Sequence, residues 1–400
     1  MSVAKPRPPL VVAAALALGT AVSLGLARFS YALLLPAMRA DLGWSYFVAG
    51  AMNTVNAAGY LAGALVAAKA VRRLGANAVL VGGTLLTALA LAAHGVVASD
   101  GALYLLRFAA GLASAPSLVA GAVLAARLGG ASARVGHGLR AGFVLGLYYG
   151  GTGIGIVAAA LLVPLLAHAA AVHPWQPAWL ALGAAGAVAT VLIAIGVRGL
   201  GGASAGPPGG GSERFRLRPF APALLAYVLF GLGYIGYMTF VVTLLREQQL
   251  APGLVTAFYA VLGIAVVASS WIWAGMLQRF RGGESLAILN ALLALATVLP
   301  LASAHPVAVF ASGVLFGAVF LSLVTSTTVL IRHNVAPSLW APAIAAFTVV
   351  FAAGQIVGPA LVGFVADRFG GLHVGLACSA AVLALGALSA SRQKPLAVIP

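Results

Sequence analysis

Stretches of roughly 20 or more mainly apolar residues follow one another along this chain with short gaps between them, and nothing else narrows its possible folds as much. At about 1.5 Å per residue, a helix of that length crosses a bilayer. Twelve spans are expected, at about 10–35, 46–68, 76–98, 102–126, 138–163 and 176–197, then 219–244, 253–276, 284–303, 306–330, 339–364 and 372–391. The fold class is therefore an all-α polytopic membrane protein of twelve transmembrane helices. Between the sixth and seventh runs lies Gly-Gly-Ala-Ser-Ala-Gly-Pro-Pro-Gly-Gly-Gly-Ser, followed by Glu213 and three arginines. A segment so poor in apolar residues cannot span, so it reads as a flexible connector. The expected organisation is a six-helix half over 1–198, a cytoplasmic linker over 199–218 and a second six-helix half over 219–400.

The charges test this count independently. Only 7% of residues are charged, and 22 Lys and Arg stand against 6 Asp and Glu, a net +16. A basic balance of that size could serve nucleic acid, but here it sits in short gaps between apolar runs rather than in a basic domain. With the N-terminus cytoplasmic, the inner segments hold Lys5, Arg7, Lys69, Arg72, Arg73, Arg127, Arg134, Arg140, Arg198, Arg214, Arg216, Arg218, Arg279, Arg281, Arg332, Arg392 and Lys394. The outer segments hold Arg39, Arg246 and Arg368, each with an acidic residue within two positions. That is the positive-inside pattern, and one span more or fewer would break it. It predicts a multi-pass protein of the cell inner membrane, both termini cytoplasmic, with a basic collar facing anionic membrane lipid. The first apolar run is too long for a signal peptide core and reads as a retained helix. No loop is long enough for a folded soluble domain, so any activity belongs to the bundle. The lone Cys378 excludes an intramolecular disulfide and reads as a buried small apolar residue; no metal or cofactor is expected.

Two permanent charges interrupt the apolar runs. Arg28 lies about 18 residues into the first span and Arg107 about six into the fourth, which puts both in the outer third of the membrane. An arginine there needs water, a counter-charge or an anionic ligand, because leaving it unpaired in hydrocarbon costs several kcal/mol. Its planar fork suits a carboxylate. The competing reading is that each snorkels to the interface or pairs with helix-terminal carbonyls or Asp100. None of Asp41, Asp100, Glu213, Glu247, Glu284 and Asp367 falls clearly inside a span, so the interior has no evident carboxylate proton carrier. All seven histidines, His94 among them, sit near helix ends and read as solvated loop residues. Polar groups on the spans complete the candidate lining: Tyr31, then Asn53, Asn56 and Tyr60 at three and four spacing on one face, Tyr148 and Tyr149, Tyr234 on a stripe with Tyr227 and Tyr237, and Gln355. Each could equally be interhelical glue. Trp175, Trp271 and Trp273 read as interfacial anchors. Gly146, Gly150, Gly151, Gly153 and Gly155 in the fifth span, and Gly354, Gly358, Pro359 and Gly363 in the eleventh, permit close helix contacts or seams that open alternately.

Over nearly its whole length the chain resembles major facilitator superfamily transporters. The run Gly25-Leu-Ala-Arg28-Phe-Ser-Tyr31-Ala-Leu-Leu-Leu-Pro36-Ala-Met38, continued by Asn53, Asn56, Gly59, Tyr60, Leu61 and Gly63, is similar to the YbfB/YjiJ-like group of bacterial permeases. Leu103-Tyr-Leu-Leu-Arg107-Phe-Ala-Ala-Gly111 resembles the fourth-helix motif whose arginine is often linked to proton coupling, with Ala110 where glutamine is frequent. The loop after the second span, Gly63 to Gly75, lacks the motif's aspartate, whereas Gly363-Phe-Val-Ala-Asp367-Arg368-Phe-Gly370 keeps the whole pattern and makes Asp367 and Arg368 candidate gating residues. The resemblance implies two pseudo-symmetric halves around a central cavity and alternating access. Together with the two arginines it implies a secondary transporter of a small organic anion or amphipathic acid, acting as a monomer with a proton as the candidate coupling ion. The alternatives are an exporter of hydrophobic or drug-like compounds and a membrane sensor or scaffold that does not transport. With no nucleophile, base or metal-ligand cluster near mid-membrane, an enzyme is not expected.

Overall fold

The computed structural model describes residues 8–134, 141–166, 172–198, 200 and 215–396. Among them are twelve helices long and apolar enough to cross a membrane. They are α1 Pro9–Leu42, α2 Tyr46–Leu74, α3 Ala76–His94, α4 Asp100–Gly130, α5 Gly142–Leu166 and α6 Gln176–Gly196. The second set comprises α7 Arg218–Glu247, α8 Pro252–Arg279, α9 Glu284–Ala302, α10 Pro306–Asn334, α11 Pro337–Phe369 and α12 Leu372–Ala390. The expected connector falls almost entirely outside the described residues, as do His137 and His168.

The largest departure from expectation is in α1. The expected span stops at residue 35, but the helix continues through Pro36, which lacks only one backbone donor, and ends at Leu42. Arg28 is therefore the twentieth residue of a 34-residue segment, closer to its middle than to the outer third. The segment is also not uniformly α-helical. An α-helix over Pro9–Thr20 widens into a π-helix over Ala21–Phe29, and α geometry resumes at Tyr31–Leu42. The changeover is marked by the Ser30 amide, which donates to Gly25 O at 3.0 Å, five residues back. Such wide turns are rare and recur at functional positions. Arg28 lies inside this one.

By contacts the chain divides into two compact units. The first comprises Met1–Leu42 and Val55–Ala205, the second Gly43–Thr54 and Gly206–Pro400. The start of α2 thus belongs to the second unit and its remainder to the first.

Within the first unit α3 packs on α4 and α6, and α1 packs on α5. Gly25 and Gly155 set the α1 to α5 spacing: a Cβ on Gly25 would lie 2.5 Å from Gly155 Cα and 2.8 Å from Thr152 O, so only glycine fits. Ser23 and Ser117 join α1 to α4 through a hydroxyl pair at 2.7 Å. In the second unit α7 packs on α11 and α12, α8 on α10, and α9 on α10 and α12. Gly354 and Gly358 of α11 lie against the backbone of α7. Gly151, Gly155, Gly354 and Gly358 thus serve helix contacts inside each unit.

Candidate functional site

In the first unit the polar residues expected to line a site gather around the two arginines. Arg28 is only 4% exposed, so it is enclosed by protein and does not snorkel. Its guanidinium carbon stands 5.6 Å from the Tyr60 ring centroid. The Nε and Nη2 donors of Arg28 are buried without a hydrogen-bond partner among the described residues. A cation over an aromatic face is attracted by the ring, but that contact supplies no acceptor for these N–H groups.

Arg107 is 1% exposed and is held differently. Its Nη1 donates to Ala27 O at 2.8 Å, a carbonyl of the π-helical stretch. Its guanidinium lies 4.7 Å from the Tyr31 ring centroid and 6.0 Å from that of Trp179. The backbone carbonyl of Arg107 accepts from Asn56 Nδ2 at 2.9 Å, which ties α2 to α4 at this level. Gly111, one turn further on, brings the two backbones close enough for that bond. Arg28 and Arg107 act on one another electrostatically. With Tyr31 and Asn56 against Arg107 and the partly buried Tyr60 against Arg28, these residues of α1, α2 and α4 make a positively charged cluster.

The remaining candidates fall elsewhere. Tyr148 is buried; its hydroxyl donates to Leu118 O at 2.6 Å and its carbonyl accepts from Thr20 Oγ1 at 2.5 Å, so it joins α5 to α4 and α1. Tyr149 packs edge-on against it at 5.1 Å and is partly exposed. In the second unit Asn53 Nδ2 donates to Thr239 Oγ1 at 2.7 Å on α7, although its helix face had been expected to serve together with Asn56 and Tyr60. Gln355 of α11 donates to the Tyr234 hydroxyl of α7. Around that pair Tyr227, Phe230, Tyr234 and Phe351 stack nearly parallel, with interplanar angles of 11° to 24°. Tyr237, also on α7, stacks on Phe316 at 4.0 Å and shares a hydrogen bond with Ser312 at 2.6 Å.

Asp367 and Arg368 do different jobs. The Asp367 carboxylate accepts from the backbone N–H groups of Tyr46 and Phe47, at 2.9 and 2.8 Å, and so caps the start of α2. A carboxylate there satisfies donors that have no partner within the helix and meets the positive end of its dipole. The Arg368 guanidinium lies 6.0 Å from the Phe364 ring centroid on its own helix.

Three expectations are corrected. Cys378 is exposed on α12 rather than buried. His94 is not a solvated loop residue: it is 0% exposed, and its ring stacks on Trp179 at 4.5 Å. It lies at the last position of α3, but α6 covers it there through Gly95, whose Cβ position is filled by Leu180 and the Gln176 carbonyl. Trp175 is likewise enclosed by protein rather than a lipid-facing anchor, and its Nε1 donates to Asp41 Oδ2 at 2.7 Å, the same oxygen that His173 Nδ1 reaches at 2.7 Å. Sequence reasoning missed Trp179 altogether. The available signal was its four-residue spacing from Trp175, the residue just before α6, which puts Trp179 one turn further on along the same side.

Among solved structures, the nucleoside transporter NupG is similar at 15% identity and a TM-score of 0.73, covering 96% of this chain and 100% of that one. A bacterial homolog of the human lysosomal transporter Spinster, in an inward-facing and unoccupied conformation, is similar at 14% identity and a TM-score of 0.73, covering 96% of this chain and 98% of that one. These likenesses carry the fold alone. A comparison with curated proteins gives no match. The family described as "Uncharacterised MFS-type transporter YbfB" matches residues 20–391, a stretch that holds Arg28, Arg107 and every other candidate above, and the chain belongs to that family of multi-pass membrane transporters.

Proposed function

We propose that this transporter moves a small organic anion or amphipathic acid by alternating access, with Arg28 as the direct contact to the anionic group. One observation carries the reading: a guanidinium enclosed in protein keeps two donors, Nε and Nη2, buried and unbonded. Leaving such donors unsatisfied costs free energy that a bound carboxylate would return through charge-assisted bonds. Arg107 adds positive charge beside it while its own Nη1 is committed to Ala27 O, which suits a supporting role. The distribution of Lys and Arg favours an inner-membrane protein with both termini cytoplasmic. The test is uptake of labelled monocarboxylates and dicarboxylates into proteoliposomes. Arg28→Gln should abolish flux and Arg28→Lys should retain a fraction of it, since an ammonium keeps the charge but loses the fork. Flux in Arg28→Gln equal to that of the parent protein refutes the assignment.

The stacked rings of Tyr227, Phe230, Tyr234 and Phe351 favour a second reading, export of flat hydrophobic compounds. Efflux of an aromatic dye that Arg28→Gln leaves intact would select it.

A further inference from the structure

Of the buried titratable groups in the first unit, His94 is the one to which neither the packing nor the proposed anion contact assigns a task. Its Nδ1 stands 2.7 Å from Ala90 O. A carbonyl only accepts, so Nδ1 carries the hydrogen and Nε2 presents a bare lone pair. That Nε2 is buried without a hydrogen-bond partner among the described residues. The ring rests on Trp179, the same indole that Arg107 approaches, and Arg107 acts on it electrostatically. A basic nitrogen is therefore held dry and unused next to the cationic cluster.

The surroundings of His94 decide when that nitrogen accepts a proton. Its own helix α3 carries no other titratable group, and neither does α6. From α4 come Arg107, Tyr104 and Asp100, the last exposed at the start of that helix; from α1 come Arg28 and, beyond Arg107, Tyr31. The charge acting directly on His94 is the positive one of Arg107. While that charge is uncompensated, a second cation on His94 is opposed. A carboxylate bound at the arginines cancels that charge and removes its share of the opposition.

We propose that His94 is the proton-coupling residue of this transporter, taking one proton on Nε2 when an organic anion binds beside Arg28 and Arg107 and releasing it when the anion leaves. The inference rests on the anion reading above. One anion travels with one proton, so a monocarboxylate crosses without net charge. No bond other than N–H forms or breaks, and water at either face supplies and receives the proton. Linkage makes the effect reciprocal: anion binding favours protonation, and lower pH tightens anion binding by the same factor.

The experiment measures both sides of that linkage on the purified full chain in detergent. Acetate, benzoate, succinate and sulfate are added in turn to protein in weakly buffered solution containing a pH indicator, with binding followed by calorimetry. The expected result is about one proton taken up per monocarboxylate bound, and affinity that rises up to tenfold per unit fall in pH through the range where His94 titrates. His94→Gln should take up no proton on binding, and its affinity should be flat with pH, while His173→Asn behaves as the parent does. Binding that depends on Arg28 but brings no proton with it in the parent protein overturns the coupling role and leaves the anion site standing. Equal proton uptake in parent and His94→Gln does the same. If Arg28→Gln binds these anions as the parent does, or none of the four binds the parent, the anion reading and the coupling role fall together. Proton stoichiometry on the unmodified protein keeps the proposal testable should His94→Gln fail to fold.

Discussion

Replacing Arg28 with methionine should make the protein more stable while depriving it of its anion contact. Methionine keeps much of the stem's length and packs adaptably, but it carries no donors. In the parent, Nε and Nη2 are buried without acceptors, and each unsatisfied buried donor costs about 1–3 kcal/mol. Against this stands the loss of the cation–ring contact with Tyr60 at 5.6 Å, worth about 0.5–2 kcal/mol. Removing one positive charge near Arg107 adds a further favourable contribution. The balance is a gain of about 1–3 kcal/mol, in keeping with other buried charges exchanged for apolar side chains. For a chain of this size that corresponds to a rise in apparent Tm of about 2–5 °C. The assay is thermal unfolding of both proteins in one detergent at one scan rate without added anion. A saturating anion should then stabilise the parent and leave Arg28→Met unmoved. A lower Tm for Arg28→Met refutes the reasoning, because it would mean that the guanidinium is already well satisfied in the empty protein.

Two further outcomes follow from the packing. Gly25→Ala places a methyl 2.5 Å from Gly155 Cα and 2.8 Å from Thr152 O, both backbone, so α1 and α5 must separate at a cost of about 1–3 kcal/mol; a Tm equal to the parent's would contradict that close approach. Asp367→Ala removes the acceptor for the Tyr46 and Phe47 amides and should cost about 1 kcal/mol or less at this exposed site, with faster hydrogen exchange at those amides, and Asp367→Asn should fall between the two.

The spans were legible in the sequence because the bilayer imposes a length and an apolar composition that each run displays by itself. The twelve helices begin and end within a few residues of the expected places, apart from the continuations of α1 past Pro36 to Leu42, of α2 to Leu74 and of α11 to Phe369. Arg28, Arg107, Asn56, Tyr31 and Tyr60 could be named because a charge or amide in an apolar run stands out. What they touch was not legible. Asn53 and Asn56 are one turn apart, yet Asn53 bonds within the second unit and Asn56 within the first, because the division between the units cuts α2 between those two positions. His94 looked like a loop residue because a helix end in sequence is silent about the neighbouring helix that covers it. The role of Asp367 was equally hidden, since its partners are backbone N–H groups more than three hundred positions away.

The wide turns over Ala21–Phe29 carry a consequence for how α1 is probed. In an α-helix each residue advances the face by about 100°, and a ring closed five residues back instead of four advances it by less. Positions before Thr20 and after Tyr31 therefore keep two separate angular phases, and a single helical wheel drawn through the whole helix misassigns one end. A scan of single-cysteine reactivity along α1 has to be read as two periodic records joined at Arg28, with the slip between them measuring how far the wide turns have rotated one end against the other.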